Sequence, residues 1–225
     1  YMLYSIERMA THAGIRIDEK APFANFFLKD GTKVVAIIPP LSKSGPVLTI
    51  IKAPRKVSSL DQLVSEKVLK KEMAKKLKEY IYQKKNIIVS GLDEYENSKF
   101  LSSLASCIVS SERLVTINTQ NICLRKENTV HLCTKPARLE GYGEIFISDL
   151  IGYAHDLQGD RLIYSHSQGD FPLKLLQMIG SKYQGSICSI IAGDSLDDMI
   201  SNTFDCVVHI GRDDNGELKV LFGSY

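Results

Sequence analysis

One stretch limits the fold more than any other: Asn86-Ile-Ile-Val-Ser-Gly-Leu-Asp-Glu-Tyr-Glu-Asn-Ser-Lys-Phe-Leu-Ser-Ser-Leu-Ala105. Ile87 to Val89 reads as a buried strand, Gly91 as a turn, and Phe100, Leu101, Leu104 and Ile108 as the apolar stripe of a following helix. Strand, glycine and helix in that order are the frame of a phosphate-binding loop. Such a loop needs Gly-x-x-x-x-Gly-Lys-Ser/Thr: glycines let backbone N–H groups close around phosphate oxygens, the lysine neutralises them, and the hydroxyl holds magnesium. Gly91 and Ser98 keep two of these positions, whereas Glu96 stands at the second glycine and Asn97 at the lysine. Asp93 and Glu94 raise the carboxylates in the loop to three. Unit charges about 4 Å apart repel by roughly 1 to 4 kcal/mol at surface-like dielectric. The stretch therefore predicts a vestigial phosphate loop, with Gly91 and Ser98 as its remaining cofactor-binding positions.

Composition bounds the rest. At 225 residues and 44% hydrophobic, the chain can bury a sizeable core in one or two domains. No apolar run approaches the ~20 residues of a membrane-spanning helix and no signal-peptide pattern is present, so the expectation is a cytoplasmic protein, with peripheral attachment at the inner membrane left open. The chain opens on Tyr1 rather than methionine, and an upstream segment is expected. The five cysteines, Cys107, Cys123, Cys133, Cys188 and Cys206, lack Cys-x-x-Cys spacing and read as reduced core residues. A net charge of +2, without tryptophan or aromatic-basic alternation, argues against nucleic acid.

Along the chain, Leu3, Ile6 and Met9 predict a helix over 2–13, stopped by Gly14. Runs at 23–29 and 33–38, joined at Asp30-Gly31, predict a hairpin, and 47–52 a third strand. This gives a small α+β domain over 1–53, a linker over 54–62 around Ala53-Pro-Arg-Lys-Val-Ser-Ser59, and an α/β domain over 63–225. Ser59-Leu-Asp-Gln62 matches a capping box. Met73, Leu77 and Ile81 stripe the next helix, and Lys70, Lys71, Lys75, Lys76, Lys78, Lys84 and Lys85 crowd its remainder. That basic face reads as solvated, with acidic lipid or a neighbouring subunit as the functional alternative. Beyond Asn86, strand-like runs at 114–117, 129–133, 161–164, 186–190 and 206–210 alternate with helical stretches at 147–157 and 171–179, which predicts a mainly parallel sheet covered by helices. Asp170 is the expected cap of the latter helix and Gly180 its stop. Asp213-Asp214-Asn215-Gly216 predicts a final hairpin.

In family order and near-family spacing, Gly14-Ile-Arg-Ile-Asp-Glu19, Ala36-Ile-Ile-Pro-Pro-Leu41, Gly45-Pro-Val-Leu-Thr-Ile50, Asn86 to Gly91, Glu112-Arg-Leu-Val-Thr-Ile117, Glu140-Gly-Tyr-Gly-Glu144 and Gly159-Asp-Arg-Leu-Ile163 resemble the type II/type IV secretion traffic ATPases, closest to the CpaF branch that powers Tad pilus assembly. The resemblance implies a PAS-like N-terminal domain, a RecA-like P-loop domain and a six-subunit ring. Its working residues, carried over one by one, are lost. The phosphate-loop glycine and lysine fall on Glu96 and Asn97. The Asp-box acid falls on Asn118, the Walker B glutamate on His166 with Ser165 at the preceding glycine, the following arginine on Gln168, and the His-box histidine on Ile191. Family arginines fall on Ser148, Gly152, Asp156 and Lys135, and only a short helix near 195–200 fills the place of a longer insertion.

Phosphoryl transfer is positioning plus charge neutralisation, so joint loss of lysine, acids and arginines implies a pseudo-ATPase with no catalytic residue, no metal ligand and no resident cofactor. The expected role is structural or regulatory. Expected partners are an active secretion or pilus ATPase, an inner-membrane platform protein, or further copies of the chain. The alternative is a nucleotide sensor that binds ATP, with or without magnesium, or another nucleotide without turnover, through Gly91 and Ser98. Lys99 is the one cation near the loop, but two helical positions turn it about 200° from the lysine's place. Other polar groups have plain readings: His166 with Ser165 and Asp160 as a strand end, Asp194, Asp197 and Asp198 as helix capping, Glu112-Arg113 as a helix-to-strand boundary, and His12, His131, His155 and His209 as isolated histidines.

Overall fold

The computed structural model describes residues 1–52, 58–91, 93–118, 124, 126–135, 143–165, 172–191 and 202–224. They form two compact units, Tyr1–Pro54 with Thr134–Phe146, and Arg55–Cys133 with Ile147–Tyr225. The segment Thr134–Phe146 thus groups with the first unit while lying within the sequence of the second, an arrangement that division into consecutive stretches does not contain.

In the first unit, helix α1 (Met2–Ala13) ends where Gly14 takes φ 71° and donates its N–H to the Ala10 and Thr11 carbonyls. Ile6 and Ala10 are buried and Leu3 is exposed, so the inward stripe is turned from the expected Leu3, Ile6 and Met9. Strands β1 (Phe23–Phe27), β2 (Lys33–Ile37) and β3 (Val47–Ile51) form an antiparallel sheet in that order. Asp30 accepts the Thr32 N–H at 3.0 Å in the first hairpin, and Gly31 supplies φ 81°. Register pairs Ala24 with Ala36 and Phe26 with Val34, which places these four on one face. They pack with Ile6, Ala10 and Ile38 into a single core.

The second unit is built on a seven-stranded sheet of β4 (Ile87–Gly91), β5 (Leu114–Ile117), β6 (Thr129–Leu132), β7 (Arg161–Ser165), β8 (Ile187–Ile191), β9 (Cys206–Arg212) and β10 (Leu218–Ser224). Its order is β10-β9-β4-β8-β7-β5-β6, parallel except for β10. Strands β4, β5 and β7 are buried at every position, as expected of parallel strands covered on both faces. Helices α2 (Leu60–Ser65), α3 (Lys71–Tyr82), α4 (Glu94–Ser106), α5 (Ile147–Asp156) and α6 (Leu173–Ser181) complete the unit. Ser59 caps α2 by accepting the Gln62 N–H at 3.1 Å, so helix begins inside the expected 54–62 linker. Leu77 and Ile81 of α3 and Leu101 and Leu104 of α4 meet Ile87, Val89 and Ile163 in the main core. Burying each such side chain contributes about 1.5–3 kcal/mol. The fold is thus α/β, with a mainly parallel sheet and a small preceding α+β unit.

Several local expectations are corrected. Helix α6 runs past Gly180 to Ser181 and starts at Leu173, with Pro172 at the N-cap and no side-chain cap bond, while Asp170 lies outside the described residues. Of the described cysteines, Cys188 and Cys206 are buried, Cys107 is half-buried at the end of α4, and Cys133 is exposed. Burial raises both core thiols, that of Cys206 to about 12. Glu112 is more than a boundary residue. Arg161, 2% exposed, donates to Glu112 from Nε at 2.5 Å and Nη2 at 3.0 Å, and Nη2 also reaches the Ile81 carbonyl at 2.8 Å. Gly185, at φ +74°, leaves room for this guanidinium: an added β-carbon would stand 2.6 Å from Arg161 Nη1. The ion pair ties the amino ends of β5, β7 and β8 to the end of α3.

Candidate functional site

Four of the positions singled out in the sequence lie at the opposite, carboxyl edge of the sheet. Gly91 ends β4 beside Ile191 of β8, Ser189 pairs with Ser165 at the end of β7, and Ile117, just before Asn118, pairs with Tyr164. Ligands of open α/β sheets bind outside this edge. Gly91, Asn118, Ser165 and Ile191 are therefore neighbours along one rim. His166 and Gln168 lie outside the described residues, as do Asp194, Asp197, Asp198 and the expected helix near 195–200.

The course of the chain between β4 and α4 is short. Strand β4 ends at Gly91 and α4 begins at Glu94, so only Leu92 and Asp93 separate them. Positions 94 to 98, which a phosphate loop would lay around its ligand, are helical. Asp93, in extended conformation, accepts the Glu96 N–H at 2.9 Å through its side chain, and its carbonyl accepts the Asn97 N–H at 3.2 Å. Two amides that a phosphate would take are thereby occupied from within the chain. The signal was present in Asp93-x-x-Glu96, an N-cap with an acid three residues on, which is a helix start rather than a loop.

Asn97, at the position that a phosphate loop gives to lysine, turns inward. It is 1% exposed, and its Nδ2 donates to the Ile190 carbonyl at 2.8 Å, joining α4 to β8. Its Oδ1 has no hydrogen-bond partner among the described residues and lies 1.9 Å from where a β-carbon on Gly91 would stand. Gly91 is therefore required by Asn97 packing. Ser98, also 1% exposed, donates its hydroxyl to the Glu94 carbonyl at 2.7 Å. Burial, followed by the Asp93 charge, holds the Glu96 carboxyl above its ordinary range. Lys99 pairs at 3.1 Å with Glu66, the C-cap of α2, and does not serve the rim.

Elsewhere on the rim, Asn118 adopts φ 53° and donates its N–H to the Leu132 carbonyl at 3.0 Å. Ser165 accepts from the Ser189 hydroxyl at 3.3 Å. Asp160 lies at the far end of β7, about 17 Å of strand from Ser165, and accepts the Arg113 N–H at 2.7 Å. The structure thus does not bring Asp160 to the rim with Ser165. Ser148, Gly152 and Asp156 recur four apart on one exposed face of α5, and Lys135 belongs to the first unit. Among the described residues no group of three His, Cys, Asp or Glu side chains could hold a metal, and no helix is long and apolar enough to cross a membrane.

The fold is similar to that of solved ATPases from type IV secretion and pilus systems. The structure is similar to the VirB11 ATPase of the Brucella suis type IV secretion system, with TM-score 0.55 and 16% identity over 99% of this chain and 79% of that one. It is also similar to the pilus retraction motor PilT, with TM-score 0.56 and 10% identity over 89% and 62%. Among curated proteins, the chain is 20% identical over 195 residues to a putative conjugal transfer protein of Mycobacterium tuberculosis, covering 84% of this chain and 55% of that protein. It is 25% identical over 170 residues to the conjugal transfer protein TrbB of Rhizobium radiobacter, covering 74% and 50%. The chain therefore spans about half the length of these two relatives. No family model matches it.

Proposed function

We propose that the chain is a non-catalytic relative of the secretion and pilus-assembly ATPases, of CpaF type, acting as a structural or regulatory subunit of such machinery. The observation that carries this reading is the helix that starts at Glu94, with Asp93 capping it and Asn97 buried against Gly91. Phosphoryl transfer relies on a lysine, a magnesium-holding hydroxyl and an acid poised around the phosphates. Here Asn97 bonds a backbone carbonyl, Ser98 bonds its own helix, and Asn118 carries no charge. Likeness to VirB11 and PilT in fold, and to conjugal transfer proteins in sequence, supports a place in secretion, conjugation or pilus assembly. Partners of matching kind are an active ATPase, an inner-membrane platform protein or further copies of the chain.

Calorimetric titration with ATP, ADP and cyclic dinucleotides tests the reading. Flat traces are expected. Saturable binding would instead favour a sensor that holds nucleotide without turning it over.

A further inference from the structure

The three-stranded sheet of the first unit ends at β3, whose one strand neighbour is β2. This strand reads Val47-Leu-Thr-Ile-Ile51, and Val47, Ile50 and Ile51 are 47%, 50% and 42% exposed. Apolar side chains thus stand open on both faces of an edge strand that carries no charge, proline or bulge, the devices that ordinarily keep an edge from pairing. The direction of its main-chain groups follows from the hairpin before it. Ile38 donates its N–H to the Pro22 carbonyl at 2.9 Å and Leu28 to the Thr32 carbonyl at 2.8 Å, so the hydrogen-bonded pairs of β1 and β2 are those of even-numbered residues. Lys33, Val35 and Ile37 therefore bond across to Ile51, Thr49 and Val47, and the N–H and C=O groups of Leu48 and Ile50 point away from the sheet. Among the described residues no main-chain bond reaches them.

We propose that β3 pairs antiparallel with β3 of a second copy of this chain, about a two-fold axis at Thr49, joining two three-stranded sheets into one of six strands. This register sets Leu48 opposite the copy's Ile50 and Ile50 opposite the copy's Leu48, so the four free N–H and C=O groups of each β3 are all used. Val47 then faces the copy's Ile51, and Thr49 faces its own counterpart in a non-hydrogen-bonded pair, the kind that brings side chains closest. No like charges are opposed: Lys52 falls opposite the copy's Pro46, and Lys33, paired with Ile51, has the copy's Val47 beyond it. A slide by two residues is worse in either direction. One way sets Ile50 against Pro46, which has no N–H, and the other sets Lys52 against Leu48. The strand complements itself, and that selects a second copy as the occupant. One strand pair buries well under the roughly 1,200 Å² of stable complexes, so the dimer is weak, with a dissociation constant on the order of 10–100 µM. No residue of the rim takes part, and the inference is independent of whether nucleotide binds.

The test is sedimentation velocity of the whole chain over a concentration range of about 1–500 µM, across which the wild type should pass from monomer to dimer. Thr49→Lys and Thr49→Glu each set like charges opposite one another and should each weaken dimerisation about tenfold or more. Thr49 is exposed, so both variants keep the wild-type fold. Their equimolar mixture sets lysine opposite glutamate and should recover the dimer. Asn25→Lys, exposed on the same face and in register with Thr49 through Val35, lies two strands from the edge and should dimerise like the wild type. A wild type that stays monomeric throughout overturns the proposal. So does a dimer that Thr49→Lys and Asn25→Lys weaken equally, or one that the mixed charge variants fail to restore.

Discussion

Gly91→Ala tests the packing of α4 on the end of β4 at its tightest point. The added β-carbon would stand 1.9 Å from Asn97 Oδ1 and 2.9 Å from its side-chain carbonyl carbon, separations that neither atom can keep. Asn97 is buried, so relief means breaking its bond to the Ile190 carbonyl. Overpacking a core costs about 1–3 kcal/mol, and losing a buried hydrogen bond with its groups left unpaired costs about 1–3 kcal/mol. With partial relief of one by the other, the single substitution should cost about 2–4 kcal/mol. Asn97→Ala should itself cost about 1–3 kcal/mol, yet it removes the obstacle, so adding Gly91→Ala to it should cost under about 1 kcal/mol. The coupling between the two sites is then about 1–4 kcal/mol. Urea denaturation of the four proteins, followed by circular dichroism, measures it, provided the slopes agree. Additivity within about 0.5 kcal/mol would refute the packing of Asn97 against Gly91.

Three further outcomes follow from the α4 cap and the buried ion pair. Glu112→Ala strands a buried guanidinium and should cost about 3–5 kcal/mol by urea denaturation. The Arg161 guanidinium, more than any other group, holds the Glu112 carboxyl below its ordinary range. A depressed folded value means that this stability is fully present above the unfolded carboxylate pKa of about 4.3 and is lost as pH falls through the folded value. The wild-type melting temperature should accordingly drop more steeply than that of Glu112→Gln in the window below about pH 4. Asp93→Ala should cost about 1 kcal/mol by loss of the α4 cap, while Asp93→Asn, which can still accept the Glu96 N–H, should cost a few tenths. Equal costs would show that the charge of Asp93, rather than its cap, matters.

Much of the architecture was legible because local signals agreed with the global fold. Gly14 closes α1 and Asp30-Gly31 turns the first hairpin. The runs that became β4, β5 and β7 are apolar without alternation, which only a sheet covered on both faces explains. The rim positions Gly91, Asn118, Ser165 and Ile191 were marked in the sequence by motif spacing, and strand order makes them neighbours. The helical course after Asp93 was not legible, because motif spacing assigns Glu94 to Ser98 to a loop while the capping signal at Asp93 and Glu96 winds them into helix. Glu112 and Arg161 stand 49 positions apart, and only the adjacency of β5 and β7 makes them partners. Leu3 fits an apolar stripe as well as Ile6 does, and burial alone separates them.

Steady-state ATP hydrolysis by the purified chain with magnesium, beside Ser98→Ala, bears most directly on the proposal that the rim carries out no phosphoryl chemistry. The expected result is no phosphate release above buffer from either protein. Turnover by the wild type that disappears in Ser98→Ala would mean that Ser98 leaves its bond to Glu94 to serve a nucleotide, and the chain would be a working motor after all.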